Sequence, residues 1–100
     1  EAFIFSKHHK INQNKLYDVI KNGAAGSWQF SNRYMTLIKN KFNFGFSTEL
    51  MEKDLRYVLK QSKKSKLNLK LTKEVHQKYK KLINTKYRIQ DTSSLVKTFI

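Results

Sequence analysis

An α+β fold, with about four helices and a minor β-sheet in one small domain over residues 1–100, is the architecture this chain predicts. Three observations lead there. Apolar side chains recur at i, i+3, i+4 spacing in four stretches, as in helices with one buried face. Residues 2–5 and 67–71 carry short apolar or alternating patterns that suit strands instead. No proline, Gly/Ser-rich linker or internal repeat separates these stretches, so one core is expected.

The elements follow in order. Ala2, Phe3, Ile4 and Phe5 predict a strand or a docked arm. Ile11 leads into Asn12 or Asn14, either of which can cap a helix through its side-chain oxygen. Leu16, Val19 and Ile20 give that helix its apolar stripe, and Gly23 sits where a glycine stops it. Residues 23–27 form a loop of small residues, where backbone approaches a ligand or another chain closely. A second helix starts near Ser31 or Asn32, carries Tyr34, Leu37, Ile38 and Phe42, and breaks at residues 43–46. Ser47 or Thr48 caps a third, with Glu49 and Glu52 near the positive end of its dipole and Lys60 near the negative end. Met51, Leu55, Val58 and Leu59 form its buried stripe, and residues 62–66 a solvated turn. Leu67, Leu69 and Leu71 alternate with polar residues as in a half-buried strand. Thr72 caps a fourth helix, with Glu74 in its first turn and Val75, Tyr79, Leu82 and Ile83 toward the core. Residues 88–100 end in a strand or a single helical turn around Leu95, Val96, Phe99 and Ile100.

Composition narrows the function classes. Apolar residues make up 39% of the chain, enough for a lean core. No run of 18 apolar residues is present, so no transmembrane helix is expected. No charged and apolar leader opens the chain, so no signal peptide is expected. Cysteine is absent, which excludes disulfides, thiolate zinc sites and a cysteine nucleophile. Lys and Arg number 21 against seven acidic residues, a formal charge of +14. Self-repulsion on that scale suits a polyanionic partner: nucleic acid first, an anionic membrane second, an acidic protein third. Only Arg33, Arg56 and Arg88 are arginines, so the balance favours tracking phosphates over reading base edges.

Several residues stand out as candidates for chemistry. His8 and His9 point to different sides of any regular element, which makes a poor metal site; no metal and no cofactor is expected. Metal-free RNA cleavage needs an acid, a base and cations beside the phosphate. His8 or His9 supplies the acid or base, with His76 a weaker candidate, and Arg33, Lys7 and Lys10 supply charge. Trp28 or Tyr34 offers a stacking face for an unpaired base. Between residues 60 and 81 nine lysines face a single acid, Glu74; Lys60, Lys63, Lys64, Lys66, Lys70 and Lys73 form the candidate phosphate-tracking surface.

Residues 16–26, Leu-Tyr-Asp-Val-Ile-Lys-Asn-Gly-Ala-Ala-Gly, resemble the helix and small-residue turn near the start of some tRNA-cleaving bacterial toxin domains, of the colicin and contact-dependent growth inhibition type. That resemblance implies a metal-independent ribonuclease acting on tRNA. It also implies an acidic immunity protein over the active surface and elongation factor Tu as a possible helper. Delivery as part of a larger secreted protein into a target-cell cytoplasm goes with it, and a cytoplasmic location is the fallback. Residues 34–46, the helix from Glu49 to Lys60 and the pair Lys63 and Lys64 are similar to the second and third helices and basic turn of the linker-histone winged helix. That likeness implies a non-enzymatic DNA-binding module with its third helix in the major groove.

Overall fold

The computed structural model describes all of residues 1–100. The chain is helical throughout: α1 (Ala2–His8), α2 (Gln13–Lys21), α3 (Trp28–Ile38), α4 (Thr48–Lys64), α5 (Lys70–Leu82) and a 3-10 helix (Thr92–Thr98). The expected β-sheet is absent, which corrects the α+β class; the one β-type pairing is an isolated bridge between Ser47 and Asp91. The helices fall into two compact units, Glu1–Phe42 with Phe99, and Asn43–Thr98 with Ile100.

In the first unit α2 packs against both α1 and α3. Residues 2–5 are the start of a helix, not a strand. Four apolar residues in a row carry no period, so they do not separate the two forms. Asn12 accepts a hydrogen bond from the Lys15 amide at 3.0 Å and caps α2. Ser27 does the same for the Phe30 amide at 3.0 Å, so α3 begins at Trp28, earlier than Ser31 or Asn32. The core is aromatic. Tyr34 is buried, its ring 4.6 Å from Phe30 and 6.1 Å from Tyr17. Its hydroxyl donates to Gln13 Oε1 at 2.7 Å, and Gln13 Nε2 in turn donates to Ser6 Oγ at 3.0 Å. This chain ties α1, α2 and α3 together through groups that burial would otherwise leave unsatisfied.

In the second unit α4 packs along α5, and the 3-10 helix packs on both. Tyr79, Leu82 and Val96 are its buried apolar residues. Ser47 occupies the N-cap position of α4 but makes no side-chain cap bond. The first two amides of α4 donate instead to backbone carbonyls, Thr48 to Gln90 at 2.8 Å and Glu49 to Arg88 at 3.0 Å. The Thr48 hydroxyl, wholly buried, bonds Gln90 O at 3.1 Å and Ser94 Oγ at 3.0 Å. α4 runs to Lys64, a turn beyond the expected end at Lys60. Residues 67–69 are irregular and α5 starts at Lys70, so neither a strand at 67–71 nor a cap at Thr72 forms. Alternating leucines make a strand only when another strand accepts their hydrogen bonds, and here Leu67 and Leu71 are exposed.

Candidate functional site

α4 is tied to the rest of the second unit by side-chain bonds from Thr48, Glu49 and Glu52. On one side, Arg88 Nε donates to Glu49 Oε2 at 2.6 Å. One turn on, Glu52 Oε1 lies 2.8 Å from His76 Nε2 of α5 and 3.4 Å from Arg56 Nε. The Glu52 and His76 side chains are only 14% and 15% exposed, so this charge-assisted contact fixes the register of α4 against α5. With Thr48 anchored to the segment at residues 88–94, the opposite face of α4 is held in place.

That face is unusually apolar for an exposed surface. Leu50 and Tyr57 lie on it exposed, Val58 is exposed beside it, and Phe44 and Phe46 precede it exposed. Among them sits a half-exposed pair, Lys53 Nζ 3.5 Å from Asp54 Oδ1. Arg56 lies over the Tyr57 ring at 5.3 Å. An ammonium group beside aromatic and aliphatic side chains can hold a carboxylate and shield it from water. Sequence reading passed over this face. Leu50, Lys53 and Asp54 look like any solvated helix surface, and only the closeness of Phe44 and Phe46 to them signalled more.

The sequence-derived candidates scatter. His8 and His9 sit exposed at the end of α1, rings 5.1 Å apart and edge to face. His8 lines a shallow apolar pocket with Glu1, Ile4, Phe5 and Phe99. Lys7 and Lys10 are exposed beside them. Arg33 lies 5.0 Å from the ring of Trp28, which is exposed on the first turn of α3. Tyr34, expected to stack on a base, is buried against Phe30 instead. Lys60, Lys63, Lys64, Lys66, Lys70 and Lys73 are all exposed, gathered at the C-terminal end of α4 and the start of α5. No group of three His, Asp or Glu side chains is placed to hold a metal ion. Burial pushes the Tyr79 phenol up to about 12, with the negative charge of Asp91 adding to the shift.

Short helices, a braced pair formed by α4 and α5, and an exposed partly apolar face on α4 make up the module. The family model described as NAD-binding of NADP-dependent 3-hydroxyisobutyrate dehydrogenase matches residues 1–99, and the chain belongs to that family. It is 35% identical over 96 residues to an uncharacterized oxidoreductase of Shewanella frigidimarina, covering 96% of this chain and 33% of that protein. To the L-threonate dehydrogenase of Cupriavidus necator it is 29% identical over 99 residues, 99% of this chain and 33% of the relative. The crystal structure of 3-hydroxyisobutyrate dehydrogenase from Salmonella typhimurium superposes with a TM-score of 0.87 at 24% identity, over 96% of this chain and 34% of that one, and shows the same fold. The chain thus spans about a third of the length of the curated relatives it matches.

These matches overturn the ribonuclease and winged-helix expectations together. The chain is not a toxin domain of the colicin or contact-dependent growth inhibition type, and its family gives no place to tRNA, DNA, an immunity protein or elongation factor Tu. Delivery into a target cell as part of a secreted toxin falls with that reading. What misled was the charge: a positive field attracts any polyanion and does not specify a fold.

The family description implies a dinucleotide, and the residues present do not form its usual cradle. Such a cradle is a parallel strand leading through a glycine-rich turn into a helix. Here no sheet exists, and the loop at residues 23–27 is closed. A Cβ on Gly26 would lie 2.5 Å from the Lys21 carbonyl oxygen, so the space the glycine leaves is filled by the chain's own backbone, not open to a pyrophosphate.

Proposed function

We propose that this chain is the helical part of a nicotinamide-dependent dehydrogenase acting on small hydroxy acids of the 3-hydroxyisobutyrate or L-threonate kind. The observation carrying this reading is the family match across residues 1–99, supported by relatives named as L-threonate dehydrogenases. A bound nicotinamide dinucleotide would supply the hydride acceptor, and residues 1–100 offer no cradle of the usual kind for it. One family match runs through both compact units. The exposed face of α4 is the proposed wall of the substrate cleft. Lys53 holds the substrate carboxylate, Asp54 orients the ammonium and accepts a substrate hydroxyl, and Phe46, Leu50 and Tyr57 exclude water.

The intact protein, mixed with NAD or NADP and a panel of hydroxy acids, should generate reduced nicotinamide with 3-hydroxyisobutyrate, L-threonate or a close analogue. Lys53→Ala should raise KM by roughly ten- to a hundredfold, the loss expected for a hydrogen bond to a charged group. Absence of turnover on every hydroxy acid with both nucleotides refutes the reading. An unchanged KM in Lys53→Ala refutes the assignment of this face.

A further inference from the structure

The turn joining α4 to α5 has a property that a substrate cleft on the other end of α4 does not explain. Leu67 and Leu71 are 61% and 76% exposed. Around them Lys63, Lys64, Lys66, Lys70 and Lys73 are exposed as well. The backbone holds this arrangement firmly. Lys66 takes a left-handed conformation with φ 56°, and the Leu67 amide donates to the Ser62 carbonyl at 2.8 Å, closing the end of α4. In that motif the residue at the Leu67 position commonly folds back onto the helix; here it stays exposed.

We propose that this turn is a peripheral membrane contact that docks on an anionic lipid bilayer. Two aliphatic side chains ringed by lysines match the interface between headgroups and acyl chains: leucines enter the boundary while ammonium groups meet lipid phosphates. Charge complementarity selects the occupant. A second copy of this chain would bring like charge against like, with +14 on each. Tracking the phosphates of a polynucleotide would use the lysines alone and leave Leu67 and Leu71 in water, whereas a bilayer boundary takes both. Glu74 is the sole carboxylate in this stretch.

The test is co-sedimentation of the intact protein with vesicles of phosphatidylglycerol and phosphatidylcholine, and with vesicles of phosphatidylcholine alone. Binding is expected only where phosphatidylglycerol is present, weakening as salt rises. Leu67→Ser with Leu71→Ser, at sites already exposed and so harmless to folding, should lower vesicle affinity about tenfold or more. Changing Lys63, Lys64, Lys66 and Lys70 together to Gln should lower it about a hundredfold or more. The proposal is overturned if the anionic vesicles leave the protein in solution at low salt, as when the rest of the protein covers the turn. Equal binding to neutral vesicles, indifference to the leucine changes, or binding to tRNA with none to vesicles also overturns it. Dehydrogenase turnover in solution should be the same for the leucine variant and the parent, so failure here is separable from failure of the proposed function.

Discussion

Three helix ends are closed by residues that carry side chains where glycine is usual. Lys10, Asn40 and Lys66 all have φ between 54° and 56°. After each, the next amide reaches back to the last turn: Ile11 to Ser6 O at 2.9 Å, Lys41 to Thr36 O at 2.9 Å and Leu67 to Ser62 O at 2.8 Å. A lysine in this conformation costs about 1–2 kcal/mol against a right-handed one, and glycine returns part of the gain as backbone entropy. Lys10→Gly should therefore stabilise the fold by about 0.5–1 kcal/mol, seen as a higher urea midpoint at unchanged slope. Gly26→Ala should do the reverse. The new methyl meets the Lys21 carbonyl at 2.5 Å, and forced overpacking typically costs about 1–3 kcal/mol. Thr48→Val keeps the shape but leaves the buried Ser94 hydroxyl without its partner, while the Gln90 carbonyl keeps the Thr48 amide, a loss of about 1–3 kcal/mol in the same measurement. Of these details the sequence offered Asn12 as one of two caps for α2 and missed Ser27, and a left-handed lysine looks like any surface lysine.

At the scale of elements, α2 and α4 were legible because each has an apolar stripe and a marked start, although Val19 and Val58, expected in those stripes, are exposed. Helix α1 was not, because it has seven residues and no side-chain cap. The 67–71 stretch was misread because alternation signals a strand only if a partner edge exists, and no local pattern reports that. The candidate site fared worse. The brace between Glu52 and His76 joins residues 24 apart, and the face it steadies has no motif. The packing of α5 on the 3-10 helix carries a pH dependence of its own. Tyr79 is buried, its hydroxyl donates to the Thr92 carbonyl at 3.1 Å, and burial raises its phenol from 10.0 to about 12. An unfolded chain loses this proton first. The stability is thus whole below pH 10 and drains away as pH climbs toward about 12. A displacement of that size corresponds to at most about 2–3 kcal/mol. Tyr79→Phe should cost about 1 kcal/mol near neutrality, for the lost hydrogen bond, and should flatten the decline between pH 10 and 12 relative to the parent. Parallel alkaline curves for the two proteins would show that another group governs that limb.

For the whole molecule, the charge is the dominant quantity. A net +14 on 100 residues was read as a sign of polyanion binding. A positive field of this size attracts small anions at long range, and it taxes the compact state through self-repulsion. The tax should be visible in solution. At about 0.01 M salt charges interact over about 30 Å, and at about 0.15 M over only about 8 Å. The lysines of α4 and α5 repel one another across such distances, whereas Arg88 and Glu49 attract over less than 3 Å and are screened far less. Added sodium chloride should therefore raise the unfolding temperature of residues 1–100. Changing Lys63, Lys64, Lys70 and Lys73 to Gln should raise it at low salt and shrink the response to salt, because the repulsion has been removed at its source. Thermal unfolding followed by circular dichroism across a salt series, parent beside variant, decides the matter. A midpoint that falls as salt rises would mean that the close ion pairs outweigh the diffuse repulsion, and that the charge is better accommodated in the fold than its size suggests.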